Sequence, residues 1–375
     1  MNRYDAVIAG GGLIGAAIAL QLADAGLRVA VFEAREPGRE ATWASAGIIS
    51  AAPENPTTIP LLPLAQASAA MYPAFVESLD ELTGRDVGYR PYGTLEPLLK
   101  GNVREELSTL IALHHGLGLK AEALSREEAL KLEPSLSQFT EAAILRPEEA
   151  SVDNRLLVHA VLAAMQIKGA ELRVGDPALA LRMEGGRCVG LRTKSGDVDA
   201  DWTIVAAGCF SAQIAGAERY APTIPAKGQM LSLRNADVQM QRVIWGEHIY
   251  LVPRNDGRIL AGATVEYRGF DRSVTAGAMK KLLDAAMEVV PGLEDATIEE
   301  SWAGLRPDTP DHLPILGPVE EEGLLFATGH FRSGVLLTPI TAKLIREWIT
   351  EKRTSLDWRR FSPMRFAEAR KTQNA

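Results

Sequence analysis

Cysteine is scarce in this 375-residue chain, which contains only Cys188 and Cys209. Two such cysteines form neither a metal-binding motif nor a disulfide framework, so we expect a reducing, cytoplasmic setting and no metal site. Runs of basic residues are also lacking, and the net charge is -8. Nucleic acids are bound through clustered lysine and arginine, so this charge balance argues against nucleic acid as a partner. No fixed-period repeat or low-complexity tail interrupts the chain.

One apolar run stands near the N-terminus, where a lone Arg3 precedes YDAVIAGGGLIGAAIALQLADAG. Such a run superficially resembles a signal peptide. The triple glycine and the polar Gln21 and Asp24 fit that interpretation poorly, and we predict no membrane anchor. With 46% of its residues apolar, the chain suits one large α/β domain or two interleaved ones.

The same N-terminal run predicts a strand, a turn and a helix. Residues 4–9 are β-prone and almost continuously apolar, as in a strand buried on both faces. Gly10, Gly12 and Gly15 then form G-x-G-x-x-G, which allows a tight turn, a close approach to pyrophosphate and helix–strand packing. A second strand, RVAVFE, ends at Glu33, whose carboxylate can accept hydrogen bonds from an adenosine ribose. This arrangement predicts a dinucleotide site without separating NAD from FAD.

Two later segments bear on that choice. DADWTIVAAGCFSA (199–212) predicts a strand that runs into small residues, a feature of flavoproteins with two dinucleotide-binding domains. GLLFATGHFRSGVLLTPITAKLIREWI (323–349) predicts a strand, a glycine-rich turn and a helix. Free N–H groups at the start of that helix would suit a flavin carbonyl that gains charge on reduction. An ordinary strand–helix connection is the alternative.

Together with HIYLVPRNDGRILAGATVE (248–266), WAGLRPDTPDHLPILG (302–317) and GHFRSGVLLTP (329–339), these motifs resemble the FAD-dependent D-amino-acid oxidase superfamily. Within it, the chain is most similar to the glycine oxidases of thiamine biosynthesis. The resemblance runs over nearly the whole chain. It implies an α/β fold in which an FAD-binding, Rossmann-like domain of the two-dinucleotide-binding-domain type is interleaved with an antiparallel-sheet substrate domain. The implied segments are 1–80, 140–220 and 305–365 for FAD, 81–139 and 221–304 for substrate, and a tail at 366–375.

The resemblance also implies the cofactor contacts. Monomeric sarcosine oxidases attach their flavin through a cysteine in the C-terminal half, and no cysteine follows Cys209 here, so FAD is expected to be non-covalent. Cys209 itself is interpreted as a small core residue rather than a nucleophile. The positions that match FAD contacts are Gly10, Gly12, Leu13, Ile14, Gly15, Glu33, Ala34, Ala41, Thr42, Ala46, Gly47, Ile48, Ala178, Gly208, His330, Phe331, Arg332, Ser333, Gly334, Val335 and Leu336.

Substrate binding is assigned by the resemblance chiefly to Arg306, in the proline-rich motif at 302–317. An arginine held rigidly can meet a carboxylate in a bidentate pair, which fixes orientation as well as energy. From the sequence alone, an ion pair with Asp308 or Asp311 is an equal alternative. The resemblance adds Tyr250 and Arg332 near the ligand.

Two apolar positions, Ile48 and Val265, match the places where the glycine-oxidase branch closes its pocket with bulky side chains. Both differ from the methionines expected there, which leaves strict preference for glycine open. Strand alternation predicts that His248 shares a face with Tyr250. His248 is a candidate for proton handling, with a hydrogen-bonding wall residue as the alternative.

The implied reaction is oxidative deamination of glycine, sarcosine, D-alanine or D-proline. Hydride leaves Cα for flavin N5, and water converts the imine to the keto acid (glyoxylate from glycine) and ammonia, while oxygen becomes H2O2. The resemblance further implies a homo-oligomer, such as a tetramer. Two alternatives stay open: a flavin D-amino-acid dehydrogenase that uses a quinone or another acceptor, and a non-catalytic FAD-binding subunit.

Overall fold

The computed structural model describes residues 3–53, 55–99 and 103–367. The strands are β1 (Tyr4–Ala9), β2 (Val29–Glu33), β3 (Ile48–Ile49), β4 (Thr94–Leu98), β5 (Glu122–Ser125), β6 (Ala142–Arg146), β7 (Ala150–Ser151), β8 (Glu171–Val174), β9 (Ala178–Glu184), β10 (Arg187–Thr193), β11 (Gly196–Val205), β12 (Ile224–Arg234), β13 (Val243–Gly246), β14 (Ile249–Pro253), β15 (Ile259–Gly262), β16 (Thr297–Asp308), β17 (Ile315–Pro318) and β18 (Leu324–Thr328).

The α-helices are α1 (Leu13–Asp24), α2 (Ala41–Ala44), α3 (Leu62–Thr83), α4 (Val103–Gly116), α5 (Arg126–Leu132), α6 (Asn154–Ile167), α7 (Ala276–Val289) and α8 (Thr338–Glu351). Short 3-10 helices lie at Pro56–Leu61, Gly208–Gln213, Pro291–Asp295 and Arg359–Phe361. The mixture of helices with two multi-stranded sheets confirms the predicted α/β class.

The first sheet has the order β17-β18-β11-β1-β2-β8, with β9 and β10 added as a hairpin on β11. β1 runs parallel to both β2 and β11 and is buried along most of its length, as its apolar run predicts. Helices α1, α3, α6 and α8 share one hydrophobic core against this sheet. The predicted helix after the glycine motif ends where expected, because Gly26 adopts a φ of 83° just past it.

The second sheet has the order β16-β12-β15-β14-β13-β4-β6-β5. β14 and β15 form the predicted antiparallel hairpin, with Tyr250 opposite Gly262 and Pro253 opposite Ile259. Gly257 supports its turn with a φ of 85°. Helix α7 packs against one face of this sheet in a separate hydrophobic core. The other face carries Tyr250 and its neighbours towards the first sheet.

Sheet membership differs from the predicted boundaries at two places. β6 lies inside the range assigned to FAD, yet it pairs with β4 and β5 of the second sheet. β16 extends past residue 305 because it pairs with β12 as far as Asp308. Strand pairing thus crosses the boundaries at 140 and 305, and the division into FAD and substrate domains stays a prediction. Of the predicted tail, residues 368–375 lie outside the described residues.

The segment Pro56–Thr83 is long and apolar enough, by length and composition alone, to cross a membrane. In the fold, α3 buries Leu64 and Leu79 in the core that it shares with α6 and α8. Ser68 and Tyr72 donate hydrogen bonds to the main-chain carbonyls of Leu336 and Val335, just before α8. The helix thus supports the turn between β18 and α8. The expected lack of a membrane anchor stays a prediction.

Candidate active site

A cavity of about 1370 Å³ is lined by residues from both sheets. It extends from the carboxyl ends of β1 and β2 to the open face of β12, β14 and β16. Sites for a single drug-sized ligand occupy roughly 300–1,000 Å³. The larger volume and the two different walls suit an extended dinucleotide together with a small substrate.

The three glycines of the motif occupy different environments. Gly10 adopts a φ of 111°, and a Cβ there would lie 2.5 Å from the Ala206 carbonyl oxygen, so a tight turn requires glycine. A Cβ at Gly15 would lie 2.0 Å from the Gly10 carbonyl oxygen, so Gly15 serves helix–strand packing. At Gly12, by contrast, a Cβ would meet only Thr42 Oγ1, at 3.8 Å. Gly12 also lines the cavity. Its lack of a side chain therefore leaves space for a ligand and is not required by contacts within the protein.

The start of α1 faces this open space. Its N-cap is Gly12, which has no side chain to cap the helix, and the positive end of the helix dipole lies at the cavity that Gly12, Leu13 and Ile14 line. Leu13 N donates a 3.3 Å hydrogen bond to Thr42 Oγ1. These are the features of a pyrophosphate site.

Glu33 stands at the end of β2, on the same cavity wall. Its Oε2 accepts a 2.8 Å hydrogen bond from Gly11 N, and its Oε1 accepts one of 2.8 Å from Arg35 N. Each oxygen keeps a further lone pair, so the fixed carboxylate can still accept from ribose hydroxyls. The uncapped helix, the space at Gly12 and the carboxylate at Glu33 fit the adenosine and pyrophosphate of FAD.

Every residue predicted to contact FAD lines this cavity except Gly15, which packs α1 against β1. The far portion is formed by residues 328–336, between β18 and α8. There, His330 is buried and its Nε2 lies 3.1 Å from Thr341 Oγ1. Burial lowers the pKa of His330 to about 3, so this imidazole is neutral at physiological pH.

Cys209 also lines the cavity, although it is only 4% exposed. Burial, followed by the negative charge of Glu40, raises the pKa of the Cys209 thiol to about 12. The thiolate is therefore scarce at neutral pH, which agrees with the interpretation of Cys209 as a small packed residue rather than a nucleophile.

Arg306 lies near the end of β16 and lines the cavity opposite the dinucleotide turn. Its guanidinium covers Gly228 of β12, where a Cβ would lie 2.2 Å from Nη1. Nη1 donates a 3.0 Å hydrogen bond to the Thr264 carbonyl oxygen. Gly228 and Thr264 therefore fix the guanidinium without neutralising its charge.

The two aspartates offered as alternative partners of Arg306 bind other groups. Tyr267 donates a 2.6 Å hydrogen bond to Asp308 Oδ2, and His312 Nδ1 lies 2.9 Å from Asp308 Oδ1. Asp311 forms an ion pair with Arg365 at 2.8 Å. Across the described part of the chain, neither aspartate is paired with Arg306. The geometry thus favours an external anion over a structural ion pair.

Tyr250 belongs to an apolar cluster beside Arg306. It is 8% exposed, its ring meets the Trp245 ring edge-on at 5.5 Å, and its hydroxyl lies 3.7 Å from Met230 Sδ. Ile48 packs against the same cluster and lines the cavity. These side chains form an apolar part of the wall of the cavity that Arg306 also lines.

The other predicted substrate residues lie in different places. His248 lies in the turn before β14, so the predicted strand face shared with Tyr250 is wrong, because the strand begins only at Ile249. Its side chain is 78% exposed at the cavity rim. Val265 is 44% exposed and lies outside the cavity lining, whereas Arg332 is exposed on the cavity wall.

Trp245, Met230 and His312 are among the cavity residues that were not predicted from the sequence. Trp245 is directly opposite Tyr250 across the β13–β14 pair, a register that needs the turn position. Met230 looks like any core methionine in its strand. His312 lies within the proline-rich motif itself, and its proximity to Arg306 was the signal available.

Comparison with known proteins gives consistent matches. The sequence profile of the DAO family, described as FAD dependent oxidoreductase, matches residues 5–348. The glycine oxidase of Geobacillus kaustophilus is 35% identical, and the match covers 96% of this chain and 97% of that protein. Its crystal structure superimposes with a TM-score of 0.91 over 96% of this chain and 98% of the other.

The bifunctional protein ThiO/ThiG of Trichormus variabilis is 36% identical over 93% of this chain. That match covers 53% of the relative, so the chain spans about half the length of the bifunctional proteins that it resembles.

Proposed function

The chain belongs to the DAO family of FAD-dependent oxidoreductases, and from this premise we propose that it is an oxidase of glycine and other small amines. FAD binds non-covalently along the cavity, with its adenosine at Glu33, its pyrophosphate at the start of α1 and its flavin towards residues 328–336. The substrate lies between the flavin and the open face of the second sheet.

The observation that carries this proposal is the placement of Arg306. Its guanidinium is held in position by Gly228 and the Thr264 carbonyl. The neighbouring Asp308 and Asp311 bind other side chains. A buried or half-buried cation in an otherwise apolar pocket is costly unless an anion meets it. An amino-acid carboxylate is planar and matches the guanidinium fork. Substrates that lack a carboxylate are therefore expected to bind poorly.

The protein's contribution to the reaction is orientation. Bound FAD supplies the two-electron acceptor for the hydride that leaves the substrate Cα. Arg306 holds the carboxylate, the Tyr250 hydroxyl supports the same group, and the apolar wall excludes water from the reacting carbon. Holding the substrate in one orientation removes the translational and rotational entropy cost from the reaction step. In well-oriented systems this lowers the activation free energy by several kcal/mol, roughly 7–11 at the upper end.

No side-chain base is assigned to the Cα hydrogen in this scheme. The hydrogen leaves as hydride, driven by the lone pair of a neutral amine. The reaction therefore requires an uncharged substrate amine rather than a base at Cα. The buried His330 is neutral and bonded to Thr341, and His248 is exposed at the rim. We therefore place neither residue in proton transfer from Cα.

Substrate size follows from the apolar wall. Ile48, Trp245 and Tyr250 pack in one apolar cluster and line the same cavity as Arg306, which supports glycine, sarcosine, D-alanine and D-proline over larger amines. One methylene in such a pocket is worth about 1–3 kcal/mol, so these specificities should overlap. We assign oxygen as the acceptor, with H2O2 as its product.

A role in thiamine biosynthesis is part of the proposal. It is supported by the similarity to bifunctional ThiO/ThiG proteins, in which the matched segment makes up about half of the chain. In that setting, the oxidised product of glycine would feed the formation of the thiazole ring. Cytoplasmic location and assembly into a homo-oligomer stay predictions.

Anaerobic mixing tests the proposal. The purified holoprotein is mixed with glycine, sarcosine, D-alanine or D-proline while flavin absorbance is followed, and air is then admitted. Bleaching by glycine and fast recolouring with peroxide formation are expected. Bleaching without recolouring would reassign the acceptor and make the protein a dehydrogenase. Absence of bleaching by every amine would overturn the substrate assignment.

A further inference from the structure

One loop crosses from the second sheet to the first outside the cavity. This crossing loop (residues 266–273) follows β15 and leads to α7. Its first residue, Glu266, exchanges main-chain hydrogen bonds with Lys227 of β12, at 2.8 and 2.9 Å. Lys227 is 1% exposed, and its Nζ donates a 2.6 Å hydrogen bond to Asp271 Oδ2. The base of the loop is thereby anchored to the second sheet.

The other end of the crossing loop contacts residues that follow strands of the first sheet. The Phe270 ring stacks on Phe210, with ring centroids 5.2 Å apart and planes inclined by 25°. Arg272 forms an ion pair with Glu40. Phe210 and Glu40 both line the cavity, whereas Phe270 and Arg272 do not. The loop therefore supports two wall residues from behind.

Those two wall residues border the adenosine end of the site. The Arg35 guanidinium lies 5.0 Å from the Phe210 ring centroid and also pairs with Glu40 at 2.8 Å. Arg35 N donates a hydrogen bond to Glu33, the carboxylate at the ribose position. A continuous set of contacts thus runs from the crossing loop to the ribose-binding carboxylate.

We propose that the crossing loop retains FAD, with Phe270 and Arg272 as positioning residues that hold Phe210 and Glu40 against the adenosine end. Both contacts join the crossing loop, whose base is anchored to the second sheet through Lys227, to residues on the adenosine-end wall, so they must break before that wall can move away. Contacts that exist only while the walls are together slow that opening. This inference rests on FAD binding alone and is independent of the amine chemistry.

The test measures FAD release from the holoprotein. Phe270→Ala, Arg272→Ala and the double variant are diluted, and release is followed by the rise in fluorescence of free FAD. An aromatic pair and a partly exposed ion pair each contribute a modest stabilisation. We expect release about threefold faster in each single variant and about tenfold faster in the double variant.

Matched variants separate retention from general damage. Arg272→Lys keeps the charge and should release FAD close to the wild-type rate. Arg353→Ala removes a comparable exposed ion pair, with Glu351, far from the loop, and should not alter release. Added salt should speed release from the wild type more than from Arg272→Ala, because it screens the ion pair.

Equal release rates in wild type and the double variant would overturn the proposal. If the double variant does not fold, the comparison of Arg272→Ala with Arg272→Lys decides instead, with apoprotein stability measured in parallel. Equal rates in that pair would likewise reject a retaining role. Failure of the protein to oxidise glycine, in contrast, would leave this result unaffected.

Discussion

At the residue scale, the orientation of Arg306 depends on a neighbour without a side chain. Gly228 lies directly beneath the guanidinium, and any Cβ there would collide with it. The carbonyl of Thr264 then fixes one edge of the fork. The opposite edge is left for a ligand, so the anchor is oriented by main-chain atoms rather than by a countercharge.

Replacing Arg306 with lysine tests this anchor. Lysine keeps the positive charge but loses the planar fork, so the substrate carboxylate loses one charge-assisted hydrogen bond worth about 1.5–3 kcal/mol. We expect the KM for glycine to rise about 10- to 100-fold while the protein stays yellow. Steady-state oxygen uptake and the flavin spectrum check the two effects. A variant that binds glycine normally would show that the anchor lies elsewhere.

Gly12 and Gly15 form a matched pair for the cofactor turn. A side chain at Gly12 meets only Thr42 Oγ1 at 3.8 Å, so Gly12→Val should fold but should be colourless because the side chain fills the pyrophosphate space. Gly15→Val should instead unfold, since its Cβ would lie 2.0 Å from the Gly10 carbonyl oxygen. Flavin content and circular dichroism distinguish the two. Full flavin occupancy in Gly12→Val would contradict the dinucleotide-turn assignment.

The same residues show what the sequence could predict. Spacing and strand context predicted the glycine turn and Glu33, because a βαβ unit is a local structure. The choice between a substrate and an aspartate as partner of Arg306 could not be made from the sequence. It depends on Tyr267 and His312 binding Asp308 and on Arg365 binding Asp311. Tyr267 and Arg365 lie 41 and 54 residues from their partners, and no periodic pattern in the sequence signals such contacts.

At the element scale, α3 shows how a helix distant in sequence supports the part of the cavity wall formed by residues 328–336. The buried Tyr72 hydroxyl donates to the Val335 carbonyl, and Ser68 donates to the Leu336 carbonyl. Burial raises the pKa of Tyr72, so the hydroxyl stays protonated and remains a donor. The turn before α8 is therefore held by hydrogen bonds from α3, whose first turn itself lines the cavity at Leu62 and Ala65.

Tyr72→Phe should loosen this turn. The substitution removes one of the two donors to the Val335 carbonyl, which keeps the 3.2 Å hydrogen bond from Thr338 N, so the cost is that of one hydrogen bond, about 0.5–1.5 kcal/mol. We expect a lower free energy of unfolding in urea and faster hydrogen exchange in residues 334–338. Tyr92→Phe is the control, because Tyr92 is 49% exposed. Identical exchange in both variants would mean that the hydroxyl does not hold the turn.

Elements also mark the limit of sequence prediction. The bounds of β1 and the existence of the β14–β15 hairpin were predicted. A local apolar run marks the strand, and alternation around a turn marks the hairpin. The membership of β6 in the second sheet was not, because its partner β4 lies about fifty residues earlier and the apolar run fits either sheet. His248 was misplaced for a related reason, since the turn before β14 has no proline or glycine after Gly246 to mark it.

At the scale of the whole molecule, Arg254 joins the two layers. It follows β14 and is 6% exposed. Its guanidinium donates to the carbonyls of Ala46 and Val152 and to Asn154 Oδ1, at 2.9, 3.1 and 2.7 Å. Burial lowers the pKa of Arg254 to about 10, so the group is still charged at neutral pH. Its partners lie beside the cavity residues 46–48.

Arg254→Met should destabilise the entire protein. The substitution keeps much of the side-chain volume but leaves three hydrogen-bond acceptors and the nearby Asp153 without the guanidinium. We therefore expect the free energy of unfolding to fall by about 3–5 kcal/mol. Urea unfolding of the apoprotein measures this change. Arg353→Met, at an exposed site, should leave the midpoint unchanged. A small effect for Arg254→Met would mean that the two layers are held together elsewhere.

The order of strands in the first sheet has a consequence for biosynthesis. β1 lies next to β11, and β11 carries β18, so the cofactor wall is closed by residues made more than three hundred positions after the glycine turn. A nascent chain lacks this part of the cavity wall until residues 328–336 have been made, so we expect cofactor capture to follow their synthesis. When flavin is scarce, cells should accumulate a finished, colourless precursor that proteases clear faster than the holoprotein.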